Sequence, residues 1–290
     1  MEFRGVYTAL VTPLSRGEVD YAKLRELVER QVKAKVAGIV PVGTTGESPT
    51  LTYEEHLKVV ELVAEQANGR CQIIAGTGAN STREAVEMTL KAKQCGVDAT
   101  LQVVPYYNKP TQEGMYRHFM TVADSCGLPI VLYNIPGRCG VGLTVENVAR
   151  LRQSSPLIEA VKEAAGSAER VSAMLDLCDI TVLSGDDALT LPMLSVGGKG
   201  VVSVTSNLLP EKMVELVELF FAGKNEAAIA LNKWLYPLFR DQFVETNPVP
   251  IKAAMAMCGI IEEEYRLPLC ELTAPSREKL KATLSQLALI

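Results

Sequence analysis

The sequence predicts an α/β protein in which eight βα units close into a (β/α)₈ TIM barrel, followed by additional C-terminal helices. Short β-branched apolar runs recur at intervals of about 20 to 33 residues, and a segment with helical periodicity follows each of them. This alternation is typical of a parallel sheet, and eight units favour a closed barrel over a doubly wound sheet, which usually has fewer strands. The runs begin near Val6, Gly38, Cys71, Asp98, Pro129, Leu157, Asp179 and Lys199.

Helix starts and the C-terminal region complete the predicted architecture. Residues 52–55 and 81–84 have the spacing of capping boxes, and Asp20 precedes an apolar helical stripe. We therefore divide the chain into a barrel over residues 1–223 and a helical extension over residues 224–290. Breaks in the helical sequence after about Pro210 are expected at Gly223, Pro237, residues 247–250, Pro268 and Pro275.

Composition disfavours several classes of function, although it says little against a magnesium ion bound by carboxylates. The net charge of −5 gives no general reason to expect nucleic acid or an anionic membrane as a partner. No apolar run approaches the ~20 residues that span a bilayer, and the amino terminus lacks the apolar core of a signal peptide, so a cytoplasmic location is expected. The seven cysteines are scattered and the two histidines belong to no ligand cluster, which disfavours a disulfide framework and a transition-metal site.

Candidate ligand-binding residues follow the second and fifth predicted strands, at the end of a barrel where active sites collect. Residues 43–48 (GTTGES) place Thr44 and Thr45 between glycines. Their hydroxyl and N–H groups suit a small carboxylate, although an ordinary Gly/Thr turn is the alternative. Tyr133 could transfer protons or only form an aromatic rim. Arg138 suits a second carboxylate, or is a solvated loop charge.

Lys162 is the best candidate nucleophile, because it alone among the lysines ends a predicted strand and so points into the barrel mouth. Lys199 precedes the eighth strand, at the opposite end. Removal from water disfavours the charged form of an amine, and the uncharged form attacks a ketone. The competing interpretation is a structural ion pair with Glu159 or Glu163, although strand alternation places Glu159 on the opposite face.

Two further motifs have weaker functional signals. Tyr106 and Tyr107 follow the fourth strand, and from the pattern alone they fit an aromatic interface patch better than a proton relay. The glycine-rich segments 76–78 and 197–200 lack the spacing of nucleotide-binding loops, so we interpret both as turns.

Three segments resemble the signatures of the pyruvate-dependent class I aldolase superfamily: residues 43–47 (GTTGE), 133–138 (YNIPGR) and 162–164 (KEA). Within it the chain most closely resembles the dihydrodipicolinate synthase (4-hydroxy-tetrahydrodipicolinate synthase) family. The resemblance covers nearly the full length and extends to residues 184–187, residues 200–203, Asn247, Pro248 and Lys252.

The resemblance implies a reaction without a metal or an organic cofactor. Lys162 would form a Schiff base with the ketone of pyruvate. The derived enamine would attack the aldehyde of L-aspartate 4-semialdehyde, and the adduct would cyclise to 4-hydroxy-tetrahydrodipicolinate, a precursor of diaminopimelate and lysine. Thr44 and Thr45 would hold the pyruvate carboxylate and, with Tyr133, move protons.

The resemblance also implies an oligomer, since the family is usually a dimer of tight dimers and a homotetramer is therefore expected. Tyr107 would complete the proton relay in the site of the partner subunit. Arg138 would bind the carboxylate of the semialdehyde, while Gly185 and Val202 would line the pocket through backbone groups.

Lysine inhibition is a further implication of the resemblance. Pro49 and Tyr53 depart from the pattern of lysine-sensitive enzymes, and Glu84 has an alternative role in its capping box. The residues that match the allosteric site at the tight-dimer interface are Ser48, His56, Asn80, Glu84 and Tyr106.

Cys139 directly follows Arg138, at a place where members of the family often carry Ser or Thr. A small hydroxyl there would help to hold the arginine. The cysteine therefore predicts that thiol reagents affect the access of substrate.

Two competing functions remain open from the sequence. The first is another pyruvate-dependent aldolase, such as an N-acetylneuraminate lyase or a 2-keto-3-deoxy sugar-acid aldolase, whose polyhydroxylated substrate needs hydroxyl partners rather than Arg138. The second is a barrel that binds a regulatory ligand without catalysis. Arg138, together with Thr44, Thr45 and Tyr107, favours the synthase over the first alternative, and the filled catalytic positions argue against the second.

Overall fold

Eight parallel strands pair in a closed ring in the computed structural model, which describes residues 1–290. The first strand pairs with both the second and the last, and Tyr7 lies beside Val202 where the ring closes. The predicted barrel is confirmed, and every strand begins within two residues of its predicted start. The strands are β1 (Gly5–Ala9), β2 (Gly38–Val40), β3 (Gln72–Gly76), β4 (Ala99–Val103), β5 (Ile130–Asn134), β6 (Ile158–Glu163), β7 (Thr181–Ser184) and β8 (Gly200–Ser203).

Twelve helices surround the ring or follow it. A short antiparallel hairpin, Leu14–Ser15 with Glu18–Val19, precedes the first of them. No helix is both long enough and apolar enough to cross a membrane. The helices are α1 (Tyr21–Lys33), α2 (Tyr53–Ala67), α3 (Thr82–Gln94), α4 (Gln112–Cys126), α5 (Pro136–Cys139), α6 (Val145–Ser154), α7 (Glu169–Leu177), α8 (Thr190–Ser195), α9 (Pro210–Phe221), α10 (Asn225–Asp241), α11 (Val249–Met257) and α12 (Ala274–Gln286).

Two of the three predicted helix caps form. The Asp20 side chain accepts from the backbone N–H of Lys23, and Thr52 forms a complete capping box with Glu55. The capping box predicted over residues 81–84 is wrong, because the Ser81 side chain makes no capping hydrogen bond. The Glu84 side chain therefore takes no part in a capping box at the start of α3.

The break predicted at Pro237 is also wrong, since α10 continues through this residue to Asp241. A proline removes one helical N–H donor and crowds the preceding turn. Here Leu235, Leu238 and Phe239 are buried on either side of it. Their packing holds the helix together across the missing hydrogen bond.

Side chains of the strands alternate between two apolar layers. One layer fills the inside of the barrel and includes Tyr133 and Ala160, while the other packs the strands against the helices and includes Val161. Because residues two apart in a strand share a face, Lys162 lies on the inner face with Ala160, and Glu163 lies on the outer face with Val161. The amine is thus placed inside the carboxyl-terminal mouth of the barrel.

Candidate functional site

A cavity of about 230 Å³ opens at the carboxyl-terminal end of the barrel, where β2 to β5 end. Its wall combines apolar side chains with a few polar groups, which suits a small organic acid. Larger clefts of about 600 Å³ lie elsewhere, one of them at the amino-terminal ends of the strands. The lining of the mouth cavity is Val42, Gly43, Thr44, Ser48, Pro49, Gly76, Gly78, Leu101, Val103, Tyr106, Tyr133, Ile135, Arg138 and Cys139.

Lys162 lies beside Tyr133 at the ends of two adjacent strands. The two residues are paired in register between β5 and β6, and both are 5% exposed. The Nζ atom lies 4.1 Å from the centroid of the Tyr133 ring. A buried amine next to a phenol brings together a nucleophile and a proton donor.

The interpretation of Lys162 as a structural ion-pair lysine is wrong. Glu159 is paired with the amino group of Met1, at 3.2 Å. Glu163 is fully buried on the outer face, where its carboxylate accepts from Arg170 Nε at 3.2 Å and from Asn134 Nδ2 at 2.9 Å. Both acidic neighbours in the strand therefore have other partners, and the amine is left without a carboxylate.

We expect the contacts of Glu163 with Arg170 and Asn134 to stabilise the end of β6 strongly. Replacing Glu163 with Gln leaves Arg170 without its buried charge partner and should lower the free energy of unfolding by about 1–3 kcal/mol. Glu159→Gln is the matched control on the same strand, since its pair is partly exposed and is worth less. Denaturant unfolding at one protein concentration measures both, and equal effects would contradict the prediction.

Gly185 follows β7 and lies directly against the lysine. A Cβ atom added to it would lie 2.6 Å from the Cβ of Ala164 and 3.2 Å from Cε of Lys162. Its N–H donates to the Glu163 carbonyl at 2.8 Å. Only a residue without a side chain leaves room here for the lysine in this position.

Gly185→Ala should therefore displace Lys162. A shift of about 1 Å in a reacting group costs up to roughly 10²-fold, so we expect kcat/KM for the reaction at Lys162 to fall by about that factor. The double variant Gly185→Ala with Ala164→Gly removes the closest clash and should recover part of the loss. Steady-state kinetics test this, and full activity of the single variant would contradict it.

The loop after β2 carries the two predicted threonines, and they have different surroundings. Thr44 lines the cavity, whereas Thr45 is buried and its Oγ1 accepts from Nδ2 of Asn247 at 3.0 Å. Gly46 packs so closely on the chain just after β2 that an added Cβ would lie 2.8 Å from the Val42 nitrogen. The loop is thus held at Thr45 and Gly46, with Thr44 in the cavity wall.

Arg138 lies at the rim of the cavity in α5. It is exposed, and its NH2 group donates to the backbone carbonyl of Asn247 at 3.0 Å. The remaining guanidinium N–H groups can meet a carboxylate at the cavity mouth.

The structure argues against the predicted sensitivity of Cys139 to thiol reagents. The residue lines the cavity but is 4% exposed. Burial raises the pKa of its thiol to about 11, against the smaller opposing effect of Arg138. Since the thiolate is the reactive form, we expect this cysteine to react slowly at neutral pH.

Two other predicted site residues, Tyr107 and Val202, are not part of the cavity lining. Tyr107 is 90% exposed, has a φ of 69° and does not line the cavity of its own chain. Val202 is buried on the inner face of β8, beside Tyr7.

Residues of the expected lysine site lie around one side of the cavity. Ser48 and Tyr106 line it, and Asn80 Nδ2 donates to the Tyr106 carbonyl at 3.3 Å. His56 Nε2 lies 2.8 Å from the Gly76 carbonyl, and burial lowers the pKa of this histidine to about 4. Glu84 is exposed; burial raises the pKa of Tyr106, and the charge of Glu84 adds to that shift.

The sequence pattern predicts no binding role for several residues of the site. Gly76 and Gly78, which the pattern predicts to be turn residues, both line the cavity. Their position after a strand, at the same end as Lys162, was the available signal. Asn247 contacts both Thr45 and Arg138, and no local pattern in the sequence indicates this.

Comparison with known proteins gives one consistent result. Residues 2–287 match the Dihydrodipicolinate synthetase family. A 4-hydroxy-tetrahydrodipicolinate synthase from Geotalea daltonii is 50% identical over 290 residues, covering 99% of this chain and 100% of that protein.

Two solved structures have the same fold over the full length. The 4-hydroxy-tetrahydrodipicolinate synthase of Methylacidiphilum fumariolicum SolV is 52% identical with a TM-score of 0.98, covering 99% of this chain and 96% of that one. The enzyme of Cyanidioschyzon merolae, solved with lysine bound, is 41% identical with a TM-score of 0.96, covering 99% of both chains. With these matches and the geometry of the mouth, the chain belongs to the dihydrodipicolinate synthetase family.

Proposed function

We propose that this chain is a lyase that condenses pyruvate with L-aspartate 4-semialdehyde to give 4-hydroxy-tetrahydrodipicolinate, in the synthesis of diaminopimelate and lysine. The observation that carries the proposal is the buried amine of Lys162, which has no carboxylate partner and lies beside Tyr133 in the barrel mouth. Membership of the family supports the choice of substrates.

The reaction begins when Nζ of Lys162 attacks the ketone carbon of pyruvate and water leaves, forming an iminium. Loss of a methyl proton gives the enamine, whose carbon attacks the semialdehyde to form the new C–C bond. The amino group of the adduct then displaces Lys162 as the ring closes, which regenerates the free amine. The iminium draws electrons from the methyl carbon, so the proposed reaction needs neither a metal nor an organic cofactor.

The neighbouring residues divide the remaining tasks. Tyr133 passes protons to and from the substrate, and Thr44 with Thr45 holds the pyruvate carboxylate. Arg138 receives the carboxylate of the semialdehyde at the rim, and its free guanidinium N–H groups suit that anion. Gly185 and Val202 complete the wall through their backbone.

A direct test compares acceptors. The purified protein, supplied with pyruvate, should turn over L-aspartate 4-semialdehyde in an assay coupled to the reductase that consumes the product. It should not cleave N-acetylneuraminate at a comparable rate. Borohydride added with pyruvate should leave a stable adduct on Lys162. Preferential cleavage of N-acetylneuraminate would favour the alternative aldolase, and the absence of any adduct would reject Schiff-base chemistry.

We also propose that the active form is a homo-oligomer, a dimer of dimers, in which Tyr107 reaches the site of a second copy. An aromatic side chain that is 90% exposed and outside its own cavity supports this role.

Lysine is the proposed regulatory ligand. The side of the cavity formed by Ser48, Asn80 and Tyr106 offers hydrogen-bonding groups, and Glu84 offers a carboxylate for an amino group. The bound lysine in the related Cyanidioschyzon merolae structure supports the choice of ligand.

Millimolar lysine should therefore slow turnover. Glu84→Gln should raise the lysine concentration for half inhibition by about tenfold or more, because a charge-assisted hydrogen bond is lost. Glu87→Gln, one helical turn further along α3, should leave that concentration unchanged. A rate that does not respond to millimolar lysine would end this proposal.

A further inference from the structure

A second buried lysine takes no part in the proposed chemistry. Lys252, on α11, is fully buried and forms an ion pair with Glu47, which is 2% exposed. Burial lowers the pKa of Lys252, against the opposing effect of Glu47. A pair so far from water recovers little net stability, because desolvation offsets the attraction. We therefore ask which part of the chain the ion pair holds in position.

The acidic partner belongs to the loop that carries Thr44 and Thr45. Glu47 has a φ of 56°, a left-handed conformation that is unfavourable for a residue with a side chain. The loop is held at Gly46 by the Thr12 hydroxyl, which donates to its carbonyl at 2.7 Å. Lys252 binds the next residue and so fixes the point at which the loop leaves the cavity.

The same stretch of chain holds the second acid-binding element. Asn247 donates to the Thr45 hydroxyl through Nδ2 and accepts from Arg138 through its backbone carbonyl, both at 3.0 Å. We call residues 247–252 the bracing segment. It comes from the predicted helical extension and contacts the loops after both β2 and β5.

We propose that Lys252 is a positioning residue for the keto acid: through Glu47 it holds the threonine loop at the place where the pyruvate carboxylate binds. This inference rests on the proposed function. Without Lys252 the Glu47 carboxylate is buried and unpaired, so the loop moves to hydrate it. Affinity for pyruvate then falls, while the amine of Lys162 keeps its own surroundings on β6.

The test measures the rate of borohydride trapping on Lys162 against pyruvate concentration. Lys252→Met should raise the half-saturating concentration of pyruvate by about tenfold or more, with a much smaller change in the rate at saturation. The matched control is Lys212→Met, an exposed lysine paired with Glu215, which should change neither quantity.

A double variant separates positioning from general damage. Lys252→Met with Glu47→Met removes both charges, and the half-saturating concentration should return part of the way to the wild-type value. Should Lys252→Met fail to fold, the double variant alone still tests the inference: it leaves no unpaired buried charge but lacks the Lys252–Glu47 link, so its half-saturating concentration should stay above the wild-type value. Folded variants with wild-type half-saturation, even at a lower melting temperature, would overturn the inference alone. No trapping on the wild-type protein would instead reject the proposed function.

Discussion

Replacing Lys162 with alanine is expected to remove the trapped pyruvate adduct and to lower kcat on the order of 10⁴-fold or more, as losses of covalent nucleophiles do. Neither Lys252 nor Lys199 is placed to substitute. Lys252 is fully buried against Glu47, and Lys199 is exposed at the opposite end of the barrel. The loss should therefore affect chemistry and leave folding intact.

The experiment follows the mass of the borohydride-treated protein together with turnover. Lys199→Ala is the control, because it removes an amine next to a barrel strand without reaching the cavity. It should give the full adduct and the full rate. An adduct of unchanged mass and yield on Lys162→Ala would show that another nucleophile forms the Schiff base.

Changing Tyr133 to phenylalanine should have the second largest effect. The ring stays beside Nζ of Lys162, and only the hydroxyl is lost, so the change isolates proton transfer from packing. General acid–base groups contribute about 10²–10⁴-fold, and we expect kcat to fall within that range. The pyruvate adduct should still form, but more slowly than in the wild-type protein.

Rapid-quench trapping and steady-state rates together measure this loss. Tyr116→Phe removes an equivalent hydroxyl that donates to Ser154 on the outer helices, and it should leave both rates unchanged. If Tyr133→Phe retained kcat within about threefold of the wild-type value, the hydroxyl would not be the proton carrier.

The barrel and the position of Lys162 could be predicted because they depend on local periodicity and one topological rule. Alternating strands and helices give the ring, and the carboxyl ends of its strands form the mouth. The orientation of Lys162 away from Glu159 followed from the two-residue repeat of a strand. The suitability of Thr44 and Arg138 for carboxylates also followed from residue type and position, whereas the role of Tyr107 in a partner's site followed only from resemblance to a family.

Features that depend on distant contacts could not be predicted. Nothing near Asn247 indicates that it meets Thr45, which lies 202 positions earlier in the chain. Pro237 suggests a broken helix until the buried residues around it are known. Ser81 has a suitable residue type and spacing for a capping box, yet its side chain makes no capping hydrogen bond. The sequence pattern shows only that the bond could form, and the side-chain conformation decides whether it does.

The bracing segment affects the order in which the protein folds during synthesis. Its contacts join residues made early in synthesis to residues made near the end, over separations of 202 and 205 positions. A nascent chain can fold its first βα units on the ribosome. The loops after β2 and β5, however, lack their contacts with the bracing segment until α11 has been made and has packed on the barrel. If the bracing segment has the proposed role, full affinity for pyruvate is acquired late in synthesis, and a barrel that ends before α11 would bind pyruvate more weakly than the whole chain.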